Sequence, residues 1–216
     1  MLQEKVLRPV NDDKVERVVI ILHGLGDNAA GIMGLGEAFQ PSMPNTLFLA
    51  PDAPFPCPYV PGGYQWFGGD DWTPSIVLEG VKRAAPILNE YIDDVLERTK
   101  MTPDKVALIG FSQGTMMSLY VAPRREHQLA GVLGYSGALI GASELETEKK
   151  CAPPVLLAHG TCDSVVPFSA MAHAQGNLEA CQIPVSSVTC HGLDHSVDEK
   201  GLGEGITFLR HVLKMN

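Results

Sequence analysis

Short apolar, β-branched runs alternate along this chain with longer segments of helical period. "RVVIILHG" (17–24) predicts a buried strand, and "NTLFLAPDAP" (45–54) predicts a second, ended by prolines. From Ser75 to Lys100 the apolar residues Val77, Val81, Ala84, Leu88, Tyr91 and Val95 recur at spacings of four and three, the stripe of an amphipathic helix. Pro86 lies inside that segment and predicts a kink or a break. "KVALIGF" (105–111) reads as a strand and "QGTMMSLYVA" (113–122) as a short helix. "LAGVLGYSG" (129–137), "PPVLLAHG" (153–160) and "PVSSVTC" (184–190) read as further strands. Ser169–Ala180 and Leu202–Leu213 read as helices. This alternation predicts an α/β fold with a mostly parallel central sheet. Strands that are apolar on both sides require helices on both faces. Ligands of such sheets bind beyond the carboxyl ends of the strands.

Composition narrows the class. A chain of 216 residues fits one domain, 1–216, large enough to bury a substantial core. Its net charge of −9, with no Lys/Arg run longer than two, lacks the basic footprint of a nucleic-acid binder. The same charge disfavours adsorption to an anionic membrane surface, and no apolar stretch is long enough to span a bilayer. The five cysteines form no CxxC pair and read as reduced thiols, several packed as small hydrophobes. With no secretory signal pattern ahead of Val18–Leu22, the expected compartment is the cytoplasm. Half of the 16 prolines fall between Pro41 and Pro74, among glycines and aromatics. That stretch is either a rigid surface excursion or one wall of a binding groove.

Three segments carry candidate chemistry. Gly110-Phe111-Ser112-Gln113-Gly114 fits G-x-S-x-G at a strand-to-helix turn. A nucleophile raised on such a turn is strained, and its neighbours two residues away crowd unless they lack a Cβ. The alternative is a glycine-rich turn with a helix-capping serine. Ser136, in "GYSGA", lacks the second glycine and is the weaker candidate. A serine needs a base and an orienting carboxylate. Asp163 follows the strand in "LLAHGTCDSVVP", where it could also be a turn aspartate. "CHGLDHSVDEKG" offers His191 and His195, and His195, mid-loop, has more freedom to reach inward. As a metal pair, His191 and His195 would need a helix, against which Gly192 argues, so no metal is expected.

An oxyanion requires two N–H donors. The Gln113 amide supplies one and Leu25, in "LHGLGDNAAG", the other, with His23 beside it as a structural histidine. This reading needs only the backbone of Gln113, so Gln113→Ala is expected to leave much of the activity. Apolar residues at Met33, Trp66, Phe67, Trp72, Val165 and Phe168 are the expected walls of an acyl groove.

Together "LHGLGD" (22–27), "PDAP" (51–54), "GFSQG" (110–114), "SGAL" (136–139), "HGTCDSVVP" (159–167) and "GLDHSVDEKGL" (192–202) resemble the carboxylesterase/lysophospholipase family of small α/β-hydrolases, which includes the acyl-protein thioesterases. The segment "PCPYVPGGYQWFGGDDW" (56–72) is more similar to the bacterial esterases of that family. The resemblance implies an α/β-hydrolase fold without a cap domain and a triad of Ser112, Asp163 and His195. It implies the Leu25 and Gln113 amides as oxyanion hole, no cofactor, and hydrolysis of small-molecule carboxylic esters, thioesters or lysophospholipids. A homodimer is compatible with it. Ser112 argues against the dienelactone hydrolase branch, whose nucleophile is cysteine. A hydrolase-fold binding protein without catalysis is the alternative from a different class.

Overall fold

A computed structural model describes residues 2–10, 14–68 and 72–215 of the chain. The elements run β1 (Glu4–Leu7), β2 (Arg17–Leu22), α1 (Ala29–Phe39), β3 (Thr46–Pro51), β4 (Phe55–Pro56), β5 (Tyr64–Gln65), α2 (Pro74–Thr99) and β6 (Val106–Phe111). They continue with α3 (Gln113–Val121), β7 (Gly131–Tyr135), α4 (Ala142–Glu148), β8 (Val155–Gly160), α5 (Ser169–Ala180), β9 (Val185–Cys190) and α6 (Glu199–Val212). Seven strands form one sheet in the order β1-β3-β2-β6-β7-β8-β9, and β4 and β5 make a small separate hairpin. Every neighbouring pair in the large sheet is parallel except β1 with β3.

Alternation along the strands divides the interior in two. Val18, Ile20, Leu22, Leu108 and Val132 point to a core covered by α2, α3, α4 and α5. Their neighbours Val19, Ile21, Ile109 and Leu133 point to a second core covered by α1 and α6. With both faces buried, the strands carry apolar residues at every position rather than every second one. The outer strand β9 is half-buried, and its exposed Ser186 and Ser187 agree with an edge position.

Five elements were not expected from the pattern, the two-residue strands β4 and β5 and three longer ones. Helix α1 contains Gly31, Gly34 and Gly36, which erode its apolar stripe, but the Asn28 side chain caps it by accepting from the amides of Ala30 and Gly31, both at 3.0 Å. Strand β1 is four residues long and is pinned by Glu4, whose carboxylate accepts from Tyr91 and from Arg98 of α2. Helix α4 is seven residues of mostly polar sequence. Helix α6 begins at Glu199, ahead of the expected Leu202, because Asp198 accepts from the Gly201 amide at 2.7 Å and caps it.

Helix α2 does not break at Pro86. Proline withholds the hydrogen bond that the Lys82 carbonyl would otherwise receive. Pro86 and Lys82 both lie on the exposed face, where water can satisfy that carbonyl, while Val81, Ala84, Ala85 and Leu88 hold the buried face to the core. Among the described residues no helix is long and apolar enough to cross a membrane.

Restoring the missing bond should therefore strengthen the helix. Pro86→Ala is expected to raise stability by about 1–3 kcal/mol, seen as a higher urea midpoint. A lower midpoint would mean that Pro86 contributes packing that its exposure does not reveal.

Candidate active site

Strand β6 ends at Phe111 and α3 begins at Gln113, so Ser112 alone makes the turn, at φ 53° and ψ −115°. A side chain at positive φ costs about 1–3 kcal/mol unless its surroundings enforce it. Here they do. The Ser112 amide donates to Tyr135 O at 3.0 Å, and the Ser112 carbonyl accepts from Met116 N at 3.1 Å. A Cβ on Gly110 would stand 2.4 Å from Thr115 N, and one on Gly114 would stand 2.0 Å from Leu22 O. Both obstacles are backbone, so neither can yield. Ser136 occupies the same place at the end of β7, also at positive φ (46°), but it is 1% exposed against 8% for Ser112, and its hydroxyl oxygen is shut off from solvent.

The β2–α1 loop presses on this turn. A Cβ on Gly24 would sit 3.2 Å from Ser112 Cβ, which brings the next residue, Leu25, alongside the nucleophile candidate. The amides of Leu25 and Gln113 donate to no protein acceptor among the described residues. His23, fully buried, holds the loop: its Nδ1 donates to Gly24 O at 2.7 Å and its Nε2 accepts from Ala53 N at 2.9 Å. Burial lowers its pKa and keeps the ring neutral. The Gln113 side chain is not idle. Its Oε1 accepts from Trp66 N at 3.1 Å, its Nε2 donates to Phe67 O at 2.8 Å, and Trp66 Nε1 donates to His23 O at 3.1 Å. Gln113 thus joins the turn to the 64–68 segment, a role that the sequence did not suggest.

Asp163 and His195 come from the loops after β8 and β9. His195 Nδ1 lies 2.8 Å from Asp163 Oδ2, so the proton sits on Nδ1 and Nε2 is left as the basic atom. The other oxygen of Asp163 accepts from the amides of Val165 at 2.9 Å and Val166 at 2.8 Å. Burial by itself would raise the Asp163 pKa, but the hydrogen bonds from His195, Val166 and Val165 outweigh it and hold the carboxyl below its usual range.

Two more side chains set this pair, and sequence reasoning passed over both. His159 Nε2 donates to Val166 O at 2.9 Å, which steadies the acid loop from within the sheet, and it lies 3.1 Å from Asp163 Oδ2. Asp194 Oδ1 accepts from Ser164 N, Ser164 Oγ and His195 N, each at 2.8 Å, tying the acid loop to the base loop. Those hydrogen bonds, Ser164 first, lower the Asp194 pKa. A polar residue four positions before Asp163 and one directly before His195 were the available signals. The Phe111 ring packs 4.9 Å from the imidazole of His195, which sets the base beside the turn. His191 stays exposed in a turn where Gly192 has φ 72°, and no helix aligns it with His195.

The expected acyl groove is not assembled as a set. Trp66 and Phe67 are in the core under α2, and Met33 is in the core on the opposite face of the sheet. Apolar character suits a core as well as a groove wall, and burial by the sheet claimed these three. Trp72 is exposed and packs edge-on to Phe67, Val165 is exposed, and Phe168 is half-buried with its ring edge-on to His159.

Residues 6–213 match the phospholipase/carboxylesterase family. Acyl-protein thioesterase 1 of Kluyveromyces lactis is 26% identical over 215 residues, 93% of either chain. Acyl-protein thioesterase 1 homolog 1 of Dictyostelium discoideum is 30% identical over 194 residues, 82% of either chain. Among solved structures, esterase PE8 is 33% identical with a TM-score of 0.94, over 98% of this chain and 99% of that one.

Two outcomes test this arrangement. Gln113→Ala leaves Trp66 N and Phe67 O buried without partners, at a cost of about 2–5 kcal/mol. Urea denaturation is expected to show that loss, with activity falling alongside it, and full retention of both would refute the linking role. Asp163 has a folded pKa below its ordinary 3.8, so its contribution to stability is present above that pH and lost as pH falls through the lower value. The stability gap between wild type and Asp163→Asn should be constant at neutral pH and close below 3.8. A gap that widened on acidification would contradict the sign of the shift.

Proposed function

As this chain belongs to the phospholipase/carboxylesterase family and has the α/β-hydrolase fold, we propose that it is a serine ester hydrolase, one domain over 1–216, acting through an acyl-enzyme on small or medium acyl esters. Thioesters and lysophospholipids are the neighbouring substrate classes, since the relatives include proteins named as thioesterases. The observation that carries this reading is the strained backbone of Ser112 beside an acid–base pair on the same edge of the sheet. A merely capping serine would have no need of that conformation.

In the proposed mechanism Ser112 Oγ attacks the ester carbonyl while His195 Nε2 takes its proton. The Ser112 hydroxyl has no hydrogen-bond partner among the described residues, so it is free to meet the imidazole once substrate is in place. Asp163 keeps the proton of neutral His195 on Nδ1 and stabilises the imidazolium that forms. The carbonyl oxygen, now negative, accepts from the Leu25 and Gln113 amides. Collapse of this intermediate breaks the ester bond, and His195 returns the proton to the departing alcohol or thiol. Water then attacks the acyl-enzyme, His195 acts again as base, and the acid leaves with Ser112 restored.

A fluorophosphonate probe should label Ser112 and no other residue. Ser112→Ala should abolish labelling and lower kcat/KM for a short p-nitrophenyl ester by about 10⁴-fold or more. Undiminished turnover by Ser112→Ala would end this reading.

A further inference from the structure

A groove of about 450 Å³ opens against His195, between α1 and the loop that leads into α6. Its apolar lining includes Ile32, Leu35, Phe111 and Leu202, and Asp27, Asp198 and Glu199 also line it. Among the described residues, no lysine or arginine lines it. We propose that this groove receives the alcohol or thiol part of the ester, and that its carboxylates select uncharged or cationic leaving groups over anionic ones. The proposal rests on the serine esterase reading given above.

Position assigns the occupant. His195 and the residues that follow it form the inner wall, with Phe111 packed 4.9 Å from the imidazole. The atom that His195 protonates is the leaving oxygen or sulfur, so the group attached to that atom lies on the imidazole's side. The carbonyl oxygen points instead toward the amides of Leu25 and Gln113.

The glycines of α1 fit an open groove. Gly36 is small for packing reasons, since a Cβ there would meet Met33 Sδ at 2.9 Å and Ile21 at 3.1 Å. Gly34 has no such reason: it is exposed inside the helix, and a Cβ there would meet nothing within 4 Å. Glycine weakens a helix interior, so an unpacked one calls for another account. Gly34 lines the groove, and Ala38, one turn further on, lines it as well.

Charge assigns the chemistry. The fold holds the carboxylate of Asp198, which caps α6 by accepting from the Gly201 amide, and the carboxylate of Asp27 lies over Gly31, where a Cβ would stand 2.0 Å from its Oδ1. Repulsion between like charges grows as water is displaced from a groove, and the net charge of −9 on the chain adds to it. A phosphate-bearing thiol or a carboxylated alcohol is therefore disfavoured, while a neutral or trimethylammonium alcohol is accepted.

The test is a set of butyrate esters with one acyl group and four alcohols: methyl, 2-phenylethyl, 2-(4-carboxyphenyl)ethyl and choline. In wild type, kcat/KM for the carboxylated ester should be at least about tenfold below that of its neutral isostere. High salt should narrow this gap, and so should a combined Asp27→Asn and Glu199→Gln variant. Gly34→Phe, and independently Ala38→Phe on the same helix face, should lower the phenylethyl-to-methyl ratio of kcat/KM about tenfold. The proposal is overturned if anionic and neutral esters are cleaved alike, or if both filling variants change preference along an acyl-length series instead. Normal turnover by Ser112→Ala would show that the esterase reading itself had failed, a result visible without the alcohol series.

Discussion

At the carboxyl edge of the sheet, the surrounding structure follows from the backbone of Ser112, held at φ 53° and ψ −115°. A residue in that conformation folds its neighbours back on each other, so positions 110 and 114 must lack a Cβ. The register of β2 against β6 pairs Leu22 with Gly110, and Leu22 O is the atom that a side chain at 114 would strike. Strand pairing, helix placement and the serine's presentation are therefore one geometric condition. The strain costs about 1–3 kcal/mol, and the two cores that lock β6 and α3 in place offset it.

Around this turn three loops are held by hydrogen bonds between segments, most of them buried, rather than by their own sequence. His23, Trp66 and Gln113 link the β2–α1 loop, the 64–68 segment and the start of α3. His159 and Asp194 fasten the acid loop to the sheet and to the base loop. Each buried polar group in these links is paired, which makes the links rigid and costly to break. Such rigidity keeps a base and its orienting carboxylate within hydrogen-bond reach while the chain around them is irregular.

Much of the architecture was legible because its signals are local. Unbroken apolar runs marked the parallel strands of the centre, and the period of 77–95 marked α2. Ser112, Asp163 and His195 could be named because each follows a strand that its own residues announce. Other parts had no local signal. Strand β1 is short and antiparallel, and its hold on α2 runs through Glu4, which looks like any surface acid. Helix α1 was hidden by its glycines, whose reasons differ: one packs against the core, one lies under a carboxylate and one faces a groove.

By itself the sequence determined the alternation of strands and helices and the glycine frame of one serine, because both rest on periodicity and on steric limits within a few residues. Which apolar side chains would be core was decided only by tertiary structure. Trp66 and Phe67 stood in a segment that could have been a groove wall, and the sheet buried them. The second role of Gln113 was likewise invisible, since the backbone groups its side chain holds are 46 and 47 residues away. Burial and long-range hydrogen bonding depend on where distant segments meet, and that meeting exists only in the folded chain.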